Sequence, residues 1–284
     1  MERRLERVAD GIVFGEGPRW HAGRLFFSDI KDHAVKAVGP DGKVETVVEL
    51  AGEPSGLGWL PDGRMLVVSM EDHRLLRLDA KGLVEVADLT PHCGGKANDM
   101  VVDARGRAYV GNIGFDLEAR PIAPRPTNLV RVDPDGSVHV AAREVWCPNG
   151  LAITADGGTL VAAESAAGRL AAFDVAPDGS LSRQRVFATL PQGAAPDGIC
   201  ADAEDAVWVA SPTTREFLRV REGGEVAERI PTGERVAIAC ALGGPARRTL
   251  FLVTSQTMSL VEAAKSRGGR IESCSVAVPG AGWP

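Results

Sequence analysis

The sequence predicts an all-β fold, a six-bladed β-propeller with four antiparallel strands per blade. Three observations predict it. A short apolar segment rich in small residues recurs six times: GEGPRW from Gly15, PSGLGW from Pro54, ANDMVV from Ala97, PNGLAI from Pro148, PDGICA from Pro196 and VAIACA from Val236. Each recurrence leads through a polar turn into a stronger strand: LFFSD after Arg24, MLVVS after Arg64, AYVGN after Arg107, LVAAES after Thr159, WVAS after Val207 and LFLVTS after Thr249. The spacing is roughly 40 to 50 residues, the length of one propeller blade. Third, Gly (33) and Pro (18) are frequent and helical periodicity is rare.

The elements follow in order. Each small-residue segment is the first strand of a blade, and the stronger run is the second. Two more strands follow in most units, as in HRLLRLDAKGLVEVADL at 73–89. The tripeptide Pro-Asp-Gly occurs five times, starting at Pro40, Pro61, Pro134, Pro177 and Pro196. The first four copies lie between apolar runs, where a hairpin tip belongs. The fifth opens a first strand instead, which sets Asp197 apart. The sixth unit ends with Arg270-IESCSVAV, only a third strand, so the N-terminal Arg4-LERVAD is expected to supply the fourth and remove a frayed edge. Six units fill the chain, which predicts a single domain over 1–284.

Composition narrows the function. The net charge is -6 and charges are mixed along the chain, with no basic block suited to nucleic acid or a membrane surface. The N-terminus lacks the apolar core of a signal peptide, and no run reaches membrane-spanning length. The five cysteines form no C-x-x-C pair, which reads as reduced thiols in a cytoplasmic protein. A monomer or weak homodimer is expected.

The second position of each unit carries the chemistry. It reads Glu16, Ser55, Asn98, Asn149, Asp197 and Ala237. First strands line the central channel of a propeller, so these six side chains should ring one mouth. Four of them offer oxygen at similar depth, while Ser55 and Ala237 leave room for a ligand. Oxygens without His or Cys suit a hard cation, Ca²⁺ first, with Mn²⁺, Mg²⁺, Zn²⁺ or Fe²⁺ as alternatives. Singly, Pro-Asp-Gly and Pro-Asn-Gly are ordinary turns and Glu16 an ordinary surface carboxylate; the shared register is what points to a site.

The stretches GEGPRW (15–20), KANDMVVDARGRAYVGN (96–112), PNGLAITADGGTL (148–160) and PDGICADAEDAVWVAS (196–211) resemble the senescence-marker-protein/gluconolactonase family. Its members are six-bladed propellers that include regucalcin, bacterial sugar lactonases and, more distantly, diisopropyl-fluorophosphatase. The resemblance implies a metal-dependent lactonase acting on a sugar-acid (aldono-) lactone or related small lactone. It places the divalent ligands on Glu16, Asn149 and Asp197, the general base on Asp197, and a substrate or metal contact on Asn98. Lys96 stands where some sugar lactonases carry arginine, and Asp116 where they carry an acidic residue. A cation would polarise the lactone carbonyl while Asp197 activates water; direct attack by the Asp197 carboxylate is the mechanistic rival. Alternative functions are phosphotriester hydrolysis and non-catalytic calcium binding.

The remaining candidates line the pocket. The loop 111–128 carries three prolines and reads as a lid through Phe115, Asp116 and Ile122, or else as a blade-edge or dimer contact. Trp146 is a second wall candidate, and His92 leads into the Asn98 strand. The five histidines show no metal spacing, and no G-x-S-x-G elbow, P-loop or dinucleotide fingerprint is present. Cys147 and Cys200 read as small core fillers.

Overall fold

Leu25, Phe26 and Phe27 are consecutive and all buried, which a strand with one wet face would not allow. In the computed structural model, which describes residues 3–39, 41–117 and 119–282, their strand is second in a four-stranded antiparallel sheet packed on both faces. Successive side chains point to opposite faces. Leu25 and Phe27 join an apolar cluster with the last sheet, and Phe26 a cluster with the next one. Six such clusters occur, one between each neighbouring pair of sheets.

The six sheets are the blades. Their inner strands are Gly15–His21, Pro54–Trp59, Ala97–Val102, Pro148–Ile153, Ile199–Ala201 and Val236–Gly243. Each packs on the inner strand of the next blade, and the last returns to the first, so the ring closes. The closure uses both chain ends, as expected. Glu6–Ile12 pairs antiparallel with Gly269–Ser275 as the outermost strand of the sixth blade. Outer strands such as Val44–Glu49 are largely exposed.

The four hairpin tips also form. Gly42, Gly63, Gly136 and Gly179 have φ of 74°, 85°, 87° and 83°, which their turns require. Asp41, Asp62, Asp135 and Asp178 each accept a hydrogen bond from the backbone N–H two residues on. Pro40 itself lies outside the described residues. One feature was not anticipated: a helix, Leu260–Ser266, between the second and third strands of the last blade. Ser259 caps it by accepting from Glu262 N at 3.3 Å. Arg267, just past its end, donates to both Asp32 carboxylate oxygens at 2.9 and 3.1 Å and straps the sixth blade to the first. Among the described residues, no helix is long and apolar enough to cross a membrane.

Candidate functional site

Five of the six inner strands break register at the same point. The breaks fall between Glu16 and Arg19, Pro54 and Leu57, Ala97 and Met100, Pro148 and Leu151, and Ala237 and Ala239. Such bulges re-aim side chains that a regular pleat would hold in the blade. The fifth blade differs from the sequence expectation: its inner strand begins only at Ile199, so Asp197 precedes the strand. Asp197 N donates to Ala210 O within the blade at 2.9 Å, whereas Gly198 N donates to Ile238 O of the next blade at 2.9 Å. A Cβ on Gly198 would lie 2.4 Å from Ala239 Cβ, and one on Gly150 2.4 Å from Ile199 N. Glycine after the ring position therefore lets neighbouring inner strands touch.

The ring side chains meet across blade boundaries. Asn149 Nδ2 donates to Asp197 Oδ1 at 2.5 Å, and Ser55 Oγ donates to Asn98 Oδ1 at 3.3 Å. Glu16 accepts from Gly17 N at 3.1 Å. Glu16, Asn98 and Asp197 are buried and Asn149 half-buried; Ser55 and Ala237, expected to leave open room, are instead completely covered. Burial holds the Glu16 carboxyl well above its usual range; the charges of Asp197 and Asp99 add to this, against the Gly17 amide and Arg19. Burial likewise pushes Asp197 up to about 8, opposed by the Asn149 amide and aided by the charge of Asp99. Asn149 Oδ1 is buried with no hydrogen-bond partner. Two carboxylates resisting ionisation beside an orphaned amide oxygen lack a cation's charge, so these residues fit a hard divalent ion. Among the described residues, no group of three or more His, Cys, Asp and Glu side chains is placed to hold a metal; the ring depends on amide oxygen as well.

Polar residues at or just past the ends of four second strands, three of them buried, pin the chain that enters four of the ring positions. Asp29 accepts from Val13 N and Phe14 N at 3.2 and 2.8 Å, just ahead of Glu16. Asn112 accepts from Gly94 N at 3.1 Å, ahead of Asn98. Glu164 accepts from Trp146 N at 2.9 Å, ahead of Asn149. Ser165 Oγ donates to Pro196 O at 2.6 Å, ahead of Asp197. The sequence reading passed over these four residues, although each stands in the quoted strand endings SD, GN and AES.

The other expected site residues are distributed unevenly. Phe115 is buried with Ile113 and Cys147 in a small apolar cluster. Cys147 precedes ring residue Asn149 by two positions, and its thiol is pushed up to about 12, first by burial and then by the charge of Asp197. Trp146 is half-buried next to Cys147 in sequence. Lys96 is ion-paired to Glu53 at 3.0 Å and Glu71 at 2.9 Å, and Glu53 is also paired with Lys31. His92 is half-buried, and its carbonyl accepts from Asn128 Nδ2 at 3.1 Å. Asp116 and Ile122 lie exposed on the 111–128 loop, in which Glu118 is outside the described residues. Arg125 straps that loop by donating to Gly114 O at 2.9 Å and Gly94 O at 3.3 Å.

Two further residues were missed. Asp99 is buried beneath the ring and ion-paired to buried Arg19 at 2.8 Å. A signal was present: Asp99 occupies the third position, where four of the six units have glycine. At the opposite end of the channel a cavity of about 820 Å³ opens among Arg19, His21, Ile153, Cys200 and Leu242.

Known proteins resemble this chain along almost its whole length. The profile of the SMP-30/Gluconolactonase/LRE-like region matches residues 14–256. A 6-deoxy-6-sulfogluconolactonase from Pseudomonas putida is 28% identical over 98% of this chain and 96% of its own. The structure of a gluconolactonase from Xanthomonas campestris superposes with a TM-score of 0.74 at 25% identity, covering 98% of this chain and 90% of that one. The structure of the calcium-binding protein regucalcin from Agrobacterium tumefaciens gives a TM-score of 0.78 at 20% identity, covering 98% and 97%.

Proposed function

The chain belongs to the SMP-30/gluconolactonase/LRE-like family, and on that footing we propose that it is a lactonase that hydrolyses a sugar-acid lactone or a related small lactone with one divalent cation. The observation that carries the reading is the buried, unpartnered Asn149 Oδ1 beside two carboxylates held above their usual range. Glu16, Asn149 and Asp197 would hold the cation, and calcium is the ion proposed because the donors are all oxygen. Bound there, a divalent ion would polarise the lactone carbonyl. Asp197 is the base that takes a proton from the attacking water, since neither asparagine can accept one and Glu16 remains a ligand.

The proposed walls come from the residues flanking the ring positions. Asn98 faces the lactone hydroxyls from the ring. Phe115 and Trp146 give an apolar side that limits water. Lys96 presents its ammonium from an ion-pair network rather than as an isolated charge, and Asp116 and His92 contribute from the loops above. Names of relatives support lactone chemistry: a sulfogluconolactonase matches 98% of this chain in sequence, and a gluconolactonase shares its fold over the same share. The test is acid release from a panel of aldonolactones and simple γ-lactones, with cation-stripped protein, added Ca²⁺, Mn²⁺, Mg²⁺, Zn²⁺ or Fe²⁺, and Asp197→Ala alongside. Turnover restored by a cation and absent in the variant is the expected result. No turnover with any cation would overturn the reading.

A further inference from the structure

Arg19 and Asp99 form a fixed pair between the ring and the far cavity. Their side chains are 7% and 2% exposed. Arg19 Nη2 donates to Asp99 Oδ1 at 2.8 Å and also to Met100 O, and Nη1 donates to Pro18 O at 2.9 Å. Asp99 Oδ1 accepts again from Met100 N at 2.8 Å. Asp99 directly follows ring residue Asn98, and Arg19 follows Glu16 by three positions. The field of Asp99 reaches Glu16 and Asp197, and that of Arg19 reaches Glu16. A buried arginine beside a cation site opposes the cation, and the opposition grows in proportion to the cation's charge.

With Glu16, Asp99 and Asp197 ionised, three carboxylates and one guanidinium leave a buried net charge of minus two. We propose that Arg19 is a charge-selectivity residue: with Asp99 it sets the site's charge to match a divalent cation and to disfavour a trivalent one. The inference rests on the reading that Glu16, Asn149 and Asp197 hold a cation. Arg19 touches no substrate; it acts through the field it imposes and through the position of Asp99. Removing its charge helps any cation, but helps a trivalent ion half as much again as a divalent one.

The test compares cation-stripped wild type, Arg19→Met, Arg19→Lys, Asp99→Asn and the double variant Arg19→Met/Asp99→Asn. Calcium affinity is read by calorimetry and terbium affinity by luminescence. Arg19→Met should raise the Tb³⁺-to-Ca²⁺ affinity ratio about tenfold, whereas Arg19→Lys should leave it near wild type. Asp99→Asn should weaken Ca²⁺ binding about tenfold or more, and the double variant should return the ratio towards wild type. An unchanged ratio in folded Arg19→Met, or a double variant that fails to compensate, would overturn the inference. Should Arg19→Met fail to fold, unchanged Ca²⁺ affinity in Asp99→Asn overturns it equally. Wild-type protein that binds neither ion sinks the cation reading and this inference with it. Wild type that binds calcium beside variants with unaltered ratios sinks this inference alone.

Discussion

Asn149 Nδ2 donates to Asp197 Oδ1 at 2.5 Å, across the boundary between the fourth and fifth blades. The contact ties two ring positions that are far apart in sequence. It also leaves Asn149 Oδ1 buried and unpartnered, an arrangement costly unless something else supplies the missing charge. Asp197→Asn preserves volume and removes both the ligand charge and the base. Lactone hydrolysis should fall by about 10²–10⁴-fold, the range for loss of a general base, measured as acid release at constant pH. Activity within a few fold of wild type would remove Asp197 from the chemistry.

The other Pro-Asp-Gly aspartates provide the control. Asp62, Asp135 and Asp178 accept from their own turns, and these hydrogen bonds hold their carboxyls below the usual range. Burial instead lifts Asp197 to about 8. Asp62→Asn should therefore leave the urea midpoint close to wild type and hydrolysis unaltered. Urea titrations and the same acid-release assay check both halves. A large loss of activity would mean that the tripeptide, not its register, carries the function.

The contrast also shows how far the sequence could be read. Blade number, hairpin tips and the closure by Glu6–Ile12 were legible because each depends on local pattern: apolar runs, turn tripeptides and an incomplete last unit. Ring position two was legible because the repeat puts it in register. The ion pair of Arg19 with Asp99 was not, since a residue that breaks a glycine pattern announces no partner. Nor was the pinning by Asp29, Asn112 and Glu164, whose side chains bond to backbone up to 18 residues away. The late start of the fifth inner strand at Ile199 reflects Gly198 bonding to the next blade, a contact without a local signature.

Glu164 gives a test of that pinning. It is fully buried, accepts from Trp146 N at 2.9 Å, and is paired with Arg169. Glu164→Ala leaves the Trp146 amide unsatisfied and the chain into Asn149 unanchored. Stability should drop by about 1–3 kcal/mol, read from the urea midpoint. Cation affinity should fall as well, since Asn149 is three residues from the released amide. A destabilised protein with unchanged cation affinity would confine Glu164 to holding the fold.

The raised carboxyls of Glu16 and Asp197 make the cation-free protein sensitive to alkali. An unfolded aspartate ionises near pH 4, whereas folded Asp197 keeps its proton up to about 8. Between those values the folded state binds more protons, so stability falls as pH rises. The contribution is fully present below the unfolded value and lost as pH rises through the folded one. Asp32 and Glu53, held low by their basic partners, act only below that window. His21, lowered by burial, acts with the opposite slope up to its unfolded value near 6.5. The clean interval is therefore about pH 6.5 to 8. Across it the melting temperature of cation-stripped protein should fall steadily, and the gain on adding Ca²⁺ should grow with pH, because binding requires both carboxylates ionised. Melts that are flat with pH, or a calcium gain that shrinks towards alkali, would mean that Glu16 and Asp197 do not share one buried cation site.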